Sequence, residues 1–343
     1  MMNRIPFLAV FVQVVVLLLT SCGKNGSTSL GEDPVDDIAI GFSSSVTSLP
    51  EVRGNGTGVI TALSDMHVFA SYTSSTNWQT TNPPNFMYDQ LMTKNSSSGI
   101  WTYTPVKYWP NTAGDKISFF AYAPANLTGV TLSDRTFAGL KLTYTVPTNE
   151  NDGQDLLLAS AMNKTKSDGT VSFRMQHTLS QIKFCVKNGD TNTTKVLKGL
   201  TVKAPQTGIA SFAVDGNFVW KIDVTNTGNL SSFIADNSFQ SGKTVAIPGG
   251  LNGKTDVIAA FFLLPVGDAS SFTVSLTYIL QKAGESSATE LTATSYFPIS
   301  PQWLPGSHII YTLTLIEDRL EIGGITVEDY GNGTPAGNEI PAT

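Results

Sequence analysis

The chain has 343 residues, of which 14% are charged, and its formal net charge is −6. It offers no basic surface that could neutralise phosphates over a long path, which excludes nucleic acid as a partner. Aromatics reach 10%, Gly, Ser and Thr are abundant, and no tract keeps a helical period, so the composition is that of an all-β protein long enough for two domains.

The N-terminus reads as an export signal. Arg4 opens a short basic region, and Ile5 to Leu19 is apolar except for Gln13, a run too short to span a bilayer comfortably. It closes on Leu19-Thr20-Ser21-Cys22, the pattern of a bacterial lipobox. Residues 1–21 are therefore predicted to be a lipoprotein signal peptide and Cys22 the lipidated cysteine. Each buried methylene of such a lipid contributes about 0.8 kcal/mol, which makes the anchor firm. Cys185 then remains alone, so the mature chain has no intramolecular disulfide. A nucleophilic cysteine needs a base and an electropositive setting, whereas the apolar-alternating run Ile182 to Val186 reads as a strand with a buried, inert thiol.

Residues 22–37 mix Gly, Ser, Thr, Asn and Asp with Pro34 and have no periodicity, which predicts a flexible tether. Ile38, Ile40, Phe42 and Val46 then fall on even positions with polar or small residues between, the period of a half-buried strand. Thr47 to Gly58 breaks that pattern with Pro50 and three glycines and carries Arg53 in an exposed loop. Alternation resumes over Met66 to Tyr72, Ile100 to Tyr103 and Ile117 to Ala123. It is clearest at Leu140, Leu142, Tyr144 and Val146. Asp155 to Met162 is a short helix candidate, and the polar stretch from Asn163 to Gly169 marks a domain boundary. Beyond it, buried positions change from odd (Val171 to Leu179) to even (Ile182 to Val186), a change that a β-bulge near Ser180-Gln181 would accommodate.

Further strands are expected at Leu200 to Val202, Val245 to Ile247, Phe272 to Leu280, Ile309 to Leu315 and Leu320 to Val327. Val257 to Leu264 is apolar throughout and suits a strand covered on both faces. The expected architecture is two tandem β-sandwich domains, transthyretin-like or immunoglobulin-like, over residues 54–165 and 166–330, with a tail at 331–343.

No catalytic constellation emerges. His67, His177 and His308 lie in or beside strands without the spacing of a zinc site, and His177 reads as a satisfied core histidine. The Gly-x-Ser-x-Gly elbow of hydrolases is missing. Gly242-Lys243-Thr244 and Gly253-Lys254-Thr255 lack the upstream glycine of a phosphate loop and read as turns. Asp152, Asp155, Asp215, Asp223, Glu328 and Asp329 are not paired by spacing and read as solvated loop charges. Neither a cofactor, nor a metal, nor an enzymatic activity is expected. Trp78, Phe86, Tyr88 and Trp101 border the polar loop Thr73 to Ser98, where their rings either stack on a ligand such as a sugar or pack the loop on its own sheet.

Several of these stretches together resemble the fimbrillins of Bacteroidetes, subunits of type V pili. They are the lipobox, the early strand Ile38 to Val46, the lone Arg53, Gly99 to Pro105 with Tyr108-Trp109-Pro110, and Ile117 to Pro124. In the second half they are Val171 to Ser180 and Trp303-Leu304-Pro305-Gly306. The resemblance implies a lipid-anchored, surface-exposed outer-membrane protein that enters a fimbrium and mediates adhesion. A trypsin-like protease would cut between Arg53 and Gly54. The displaced strand bearing Ile38, Ile40, Phe42 and Val46 would then be replaced by a strand from another fimbrial subunit. A host or bacterial surface receptor would complete the list of partners. The Gly- and Pro-rich tail Gly331 to Thr343 is a weak donor strand, which points to a tip or accessory subunit. The alternative is a non-polymerising surface glycan-binding lipoprotein that uses Trp78 and Trp101.

Overall fold

The structure, a computed structural model, describes residues 37–46, 62–136 and 139–329. Cys22, Arg53, Gly54 and the 331–343 tail lie outside the described residues. Strands are numbered in chain order and form four sheets.

Sheet I has seven strands in the order β1 (Phe42–Val46), β9 (Val171–His177), β8 (Leu157–Lys164), β5 (Ile117–Ala123), β2 (Asp65–Tyr72), β3 (Met87–Lys94) and β4 (Trp101–Thr102). Sheet II runs β13 (Phe218–Ile222), β12 (Thr207–Phe212), β7 (Lys141–Thr145), β6 (Val130–Leu132). Sheet III runs β16 (Ala259–Leu263), β10 (Ser180–Asn188), β19 (Ser307–Ile316), β20 (Arg319–Asp329). Sheet IV runs β14 (Leu230–Ile234), β11 (Thr193–Pro205), β17 (Thr273–Lys282), β18 (Ala288–Tyr296), with β15 (Val245–Ala246) also pairing to β11. The protein is all-β, as its composition and alternation indicate.

Successive strand residues point to opposite faces, so a strand buried on both sides must be apolar at every position. In β5 all seven residues are buried. Its even residues Phe120 and Tyr122 join Phe69 and Leu158 on the near face of sheet I. That face packs on Leu142, Tyr144, Ala210 and Phe212 of sheet II, with the Phe120 and Phe212 rings 4.8 Å apart. Its odd residues Phe119 and Ala121 join Met66, Val68, Leu157, Val171 and Phe173 on the far face. Sheets III and IV form a second sandwich around Phe184, Tyr311, Leu313, Phe233, Leu276 and Tyr278, and this core is continuous with that of the first sandwich.

The sequence-based division at residue 165 requires correction. Lys166–Asp168 forms a 3-10 turn between β8 and β9, which are neighbours in sheet I, and β12 and β13 return from the second half to complete sheet II. The chain passes between sandwiches at Thr178-Leu179, at Gln206, and between Ile222 and Leu230. The parity change near Ser180 is therefore a change of sheet rather than a bulge: β9 ends in sheet I and β10 begins in sheet III. Asp155 to Met162 is not a helix. Leu157 and Leu158 belong to β8, whose apolar residues serve both faces, and a run buried on two sides has no period that separates strand from helix. The polar loop Thr73 to Ser98 contains β3.

Glu150 ties the sandwiches together. Its buried carboxylate accepts the backbone N–H groups of Asp236 at 3.0 Å, Asn237 at 3.1 Å and Ala260 at 2.7 Å. Glu150→Ala orphans these donors and is expected to cost about 2–4 kcal/mol in urea unfolding, against less than about 0.5 kcal/mol for the exposed Glu285→Ala.

A second buried polar cluster lies where β9 gives way to β10. His177 Nδ1 pairs with Asp155, and Lys183, Gln181 and His308 are buried beside this junction. Burial, reinforced by Lys183 and His177, pushes the His308 imidazole down to about 3 from 6.5. Between those values the unfolded chain binds more protons than the folded one. The contribution from burying neutral His308 is thus complete above pH 6.5 and is lost as pH falls towards 3. Stability is expected to drop by about 3 kcal/mol between about pH 7 and pH 4 in urea titrations, and His308→Leu to flatten that slope.

Candidate functional site

Among the described residues, no sheet is laid over the far face of sheet I. That face is covered by the segment Trp101 to Trp109 and by residues 38–42, which enter the same buried cluster as Phe119, Val171 and Phe173. Ile40 and Phe42 are 1% and 7% exposed. The Phe42 ring meets Tyr103 edge-on at 5.4 Å and Phe119 edge-on at 5.6 Å, and it stacks on Phe173 at 6.0 Å. Trp109 closes the other side of Phe119 at 5.9 Å. Burying side chains of this kind contributes about 2–3 kcal/mol each.

The backbone of this segment changes partner midway. Ala39 bridges Tyr108 in antiparallel fashion, with Ile40 N–H donating to Lys107 C=O and Trp109 N–H to Ile38 C=O, both at 2.9 Å. After Gly41, whose C=O accepts Val171 N–H at 2.9 Å, residues Phe42 to Val46 run parallel to Val171 to Met175. The Ser43 and Ser172 hydroxyls share a hydrogen bond of 2.7 Å. Tyr103 donates its hydroxyl to Ile40 C=O at 2.9 Å, and burial raises that phenol above its ordinary range, so it stays a protonated donor. Among the described residues, β1 is the terminal strand of sheet I and is bonded to β9 alone. A strand bonded on one side is the member of a sheet that leaves at least cost.

Of the residues singled out in the sequence, Ile40 and Phe42 sit in the apolar cover and Val46 packs half-buried against it, while Ile38 is 45% exposed at its rim. The partners Tyr103, Trp109, Phe119 and Phe173 were not legible as one site, although the odd-position alternation of Phe119 and Phe173 marked a buried face. Trp78 and Trp101 are corrected from ligand platforms to core residues. They are 1% and 6% exposed, Trp78 lies against Phe120 at 4.9 Å, and Trp101 packs in the far-face cluster beneath Lys94, so neither ring face is open to a sugar. Burial pushes the Cys185 thiol up, in keeping with an unreactive core cysteine.

A family model described as fimbrillin-like matches residues 54–329 of this all-β chain. The chain belongs to the fimbrillin-like family. It is accordingly a fimbrial-type subunit of the cell surface and not an enzyme. No curated protein matches it. Among solved structures, a candidate cell adhesion protein from Bacteroides uniformis is similar over 86% of this chain and 99% of its own, at 18% identity and a TM-score of 0.47. The fimbrial anchor protein Mfa2 from Porphyromonas gingivalis is similar over 89% and 100%, at 11% identity and a TM-score of 0.37. A candidate polysaccharide-binding protein from Bacteroides thetaiotaomicron is similar over 90% and 99%, at 9% identity and a TM-score of 0.41. In this fimbrillin-like chain β1 precedes the matched span, so the strand that caps the far face lies ahead of Gly54.

Phe42→Ala is expected to lower stability by about 3 kcal/mol. It should also speed hydrogen exchange of β1 and the β9 edge ahead of β5, whereas Ile38→Ser at the rim should shift stability by less than about 0.5 kcal/mol.

Proposed function

We propose that this fimbrillin-like subunit assembles by strand replacement at the far face of sheet I. The carrying observation is β1 with the residues that lead into it: an edge strand, paired on one side among the described residues, where Ile40 and Phe42 join Trp101 and Trp109 in covering an apolar face. The subunit is delivered to the outer membrane as a lipoprotein anchored through Cys22. A trypsin-like protease cuts between Arg53 and Gly54 and frees residues 38–53. The departing strand leaves Phe119, Phe173 and Trp109 exposed and the edge of β9 unpaired, and a strand from another subunit restores both contacts. A donor that buries about 500 Å² of apolar surface gains on the order of 12 kcal/mol before ordering costs.

The proposed position is at the tip or in an accessory role, because the described residues offer no spare donor and the tail sequence is interrupted by Gly and Pro. Leu320 to Val327 belongs to β20, paired along its length with β19. The turn joining these strands is clamped by Glu317, whose N–H bonds Asp190 at 3.0 Å and whose C=O accepts the Tyr278 hydroxyl at 2.8 Å. Asp190 is held in turn by Lys195 at 2.6 Å. Burial alone would raise the Asp190 carboxyl, but the hydrogen bonds from Lys195, Thr193 and Glu317 outweigh it and hold the group well below the carboxylate range. A strand fixed in this way is a poor candidate for donation. The rival reading, a non-polymerising glycan-binding lipoprotein built on Trp78 and Trp101, loses those platforms to burial.

Limited trypsin treatment of the purified chain is expected to give a Gly54 amino-terminus by mass spectrometry. It should also give new binding of an apolar dye and capture of a synthetic peptide spanning Asp37 to Val46, all of which Arg53→Ala abolishes. Cleavage at Arg53 that leaves β1 seated, with neither dye nor peptide bound, would refute strand replacement.

A further inference from the structure

From its geometry we infer that a cleft on the outer face of sheet II is a binding site for a neutral oligosaccharide, and that it supplies the adhesive contact of this subunit. The cleft has a volume of about 580 Å³ and lies between β7, β12 and the loop that joins β13 to β14. Its lining includes Thr143, Thr207, Ile209, Lys221, Asp223 and Asn226. That volume falls within the range of about 300–1,000 Å³ typical of small-molecule sites.

The loop is built rather than draped. Asn229 accepts Thr207 N–H at 3.1 Å and returns its amide to Thr207 C=O at 3.1 Å and Asp223 C=O at 3.0 Å. Asp223 Oδ1 accepts the backbone N–H and hydroxyl of Thr225 and the N–H of Asn226, and Asn226 Oδ1 accepts Gly228 N–H at 2.9 Å. These bonds fix the loop before any ligand arrives, which lowers the ordering cost of binding. They also leave Asp223 Oδ2, Asn226 Nδ2 and Lys221 Nζ without a hydrogen-bond partner among the described residues. The Thr225 hydroxyl and neighbouring N–H groups hold the Asp223 carboxyl below its ordinary range, so it remains an ionised acceptor.

An ionised acceptor beside an amide and an ammonium donor matches the adjacent hydroxyls of a sugar ring, each of which both donates and accepts. The half-exposed Ile209 on β12 offers an apolar contact for the C–H face of such a ring. One carboxylate opposes one ammonium, which disfavours a polyanion, and no aromatic side chain is present to stack a planar ligand. The site is remote from the far face of sheet I in sheet order and uses no residue of β1. Its ligand is therefore independent of strand replacement, and the test uses the uncleaved chain.

The full chain would be applied to a printed array of neutral and acidic di- to tetrasaccharides, and the strongest neutral ligand titrated by calorimetry. The expected result is saturable binding that Asn226→Asp, which keeps the acceptor for Gly228 N–H but removes the amide donor, and Lys221→Ala each weaken at least tenfold without a change in Tm, while Ile299→Ala, on a surface loop, leaves it intact. Hydrogen exchange of residues 221–229 should slow when the sugar binds, a readout that needs no variant. Binding of acidic glycans alone, no binding at all, or binding undiminished in both variants with no protection of this loop would overturn the inference.

Discussion

The constraint from which the rest of this protein follows is that sheet I is apolar on both faces. One face is covered in the ordinary way, by a second sheet carrying Tyr144 and Phe212. The other is covered, among the described residues, chiefly by the Trp101 to Trp109 segment and by the short stretch that brings in Ile40 and Phe42. A sheet surface bearing Phe119, Phe173 and Val171 cannot be left in water without a cost of several kcal/mol, so whatever covers it is held there by the hydrophobic effect and not by a dense ladder. On the strand replacement proposed above, the same physics would hold the cover while it is present and admit another strand of similar chemistry in its place.

The two sandwiches are not beads on a string. The chain crosses between them repeatedly, β12 and β13 complete a sheet begun by β7, and the core is continuous from Phe120 to Tyr278. Glu150, reaching from the first half to the backbone of Asp236, Asn237 and Ala260, adds a polar tie at the same junction. The Trp220 indole, from sheet II, donates to Thr178 C=O at 3.1 Å where the chain first crosses. Interleaving of this kind means that force applied to one sandwich is carried by packed side chains and several strands rather than by a linker.

Much of the candidate site was legible in advance, and for a specific reason. Ile40 and Phe42 sit two apart with Gly41 between, and period-two burial is a local property written in neighbouring residues. Trp78 and Trp101 stay ambiguous in sequence, because a large aromatic beside polar residues looks the same whether it faces water or wedges a loop onto its sheet. β18 escaped notice because it is an exposed edge: its Thr and Ser residues pair across to β17 through hydroxyls, as at Ser275 and Thr294, and carry no apolar alternation. β8 was misassigned for the opposite reason, being apolar on both sides.

Local alternation, then, determined by itself that the protein is all-β, where most strands run, and that the first strand has a buried stripe. Tertiary structure alone decided which strand neighbours which. Val171 to His177 pairs with Leu157 and with Phe42 rather than with the sheet its sequence position suggested, and the hairpin at Thr207 to Ile222 turns back to the first sandwich. The physical reason is that side-chain pattern encodes the face a residue seeks, whereas the partner is chosen by long-range closure, in which every apolar face must find a cover at once.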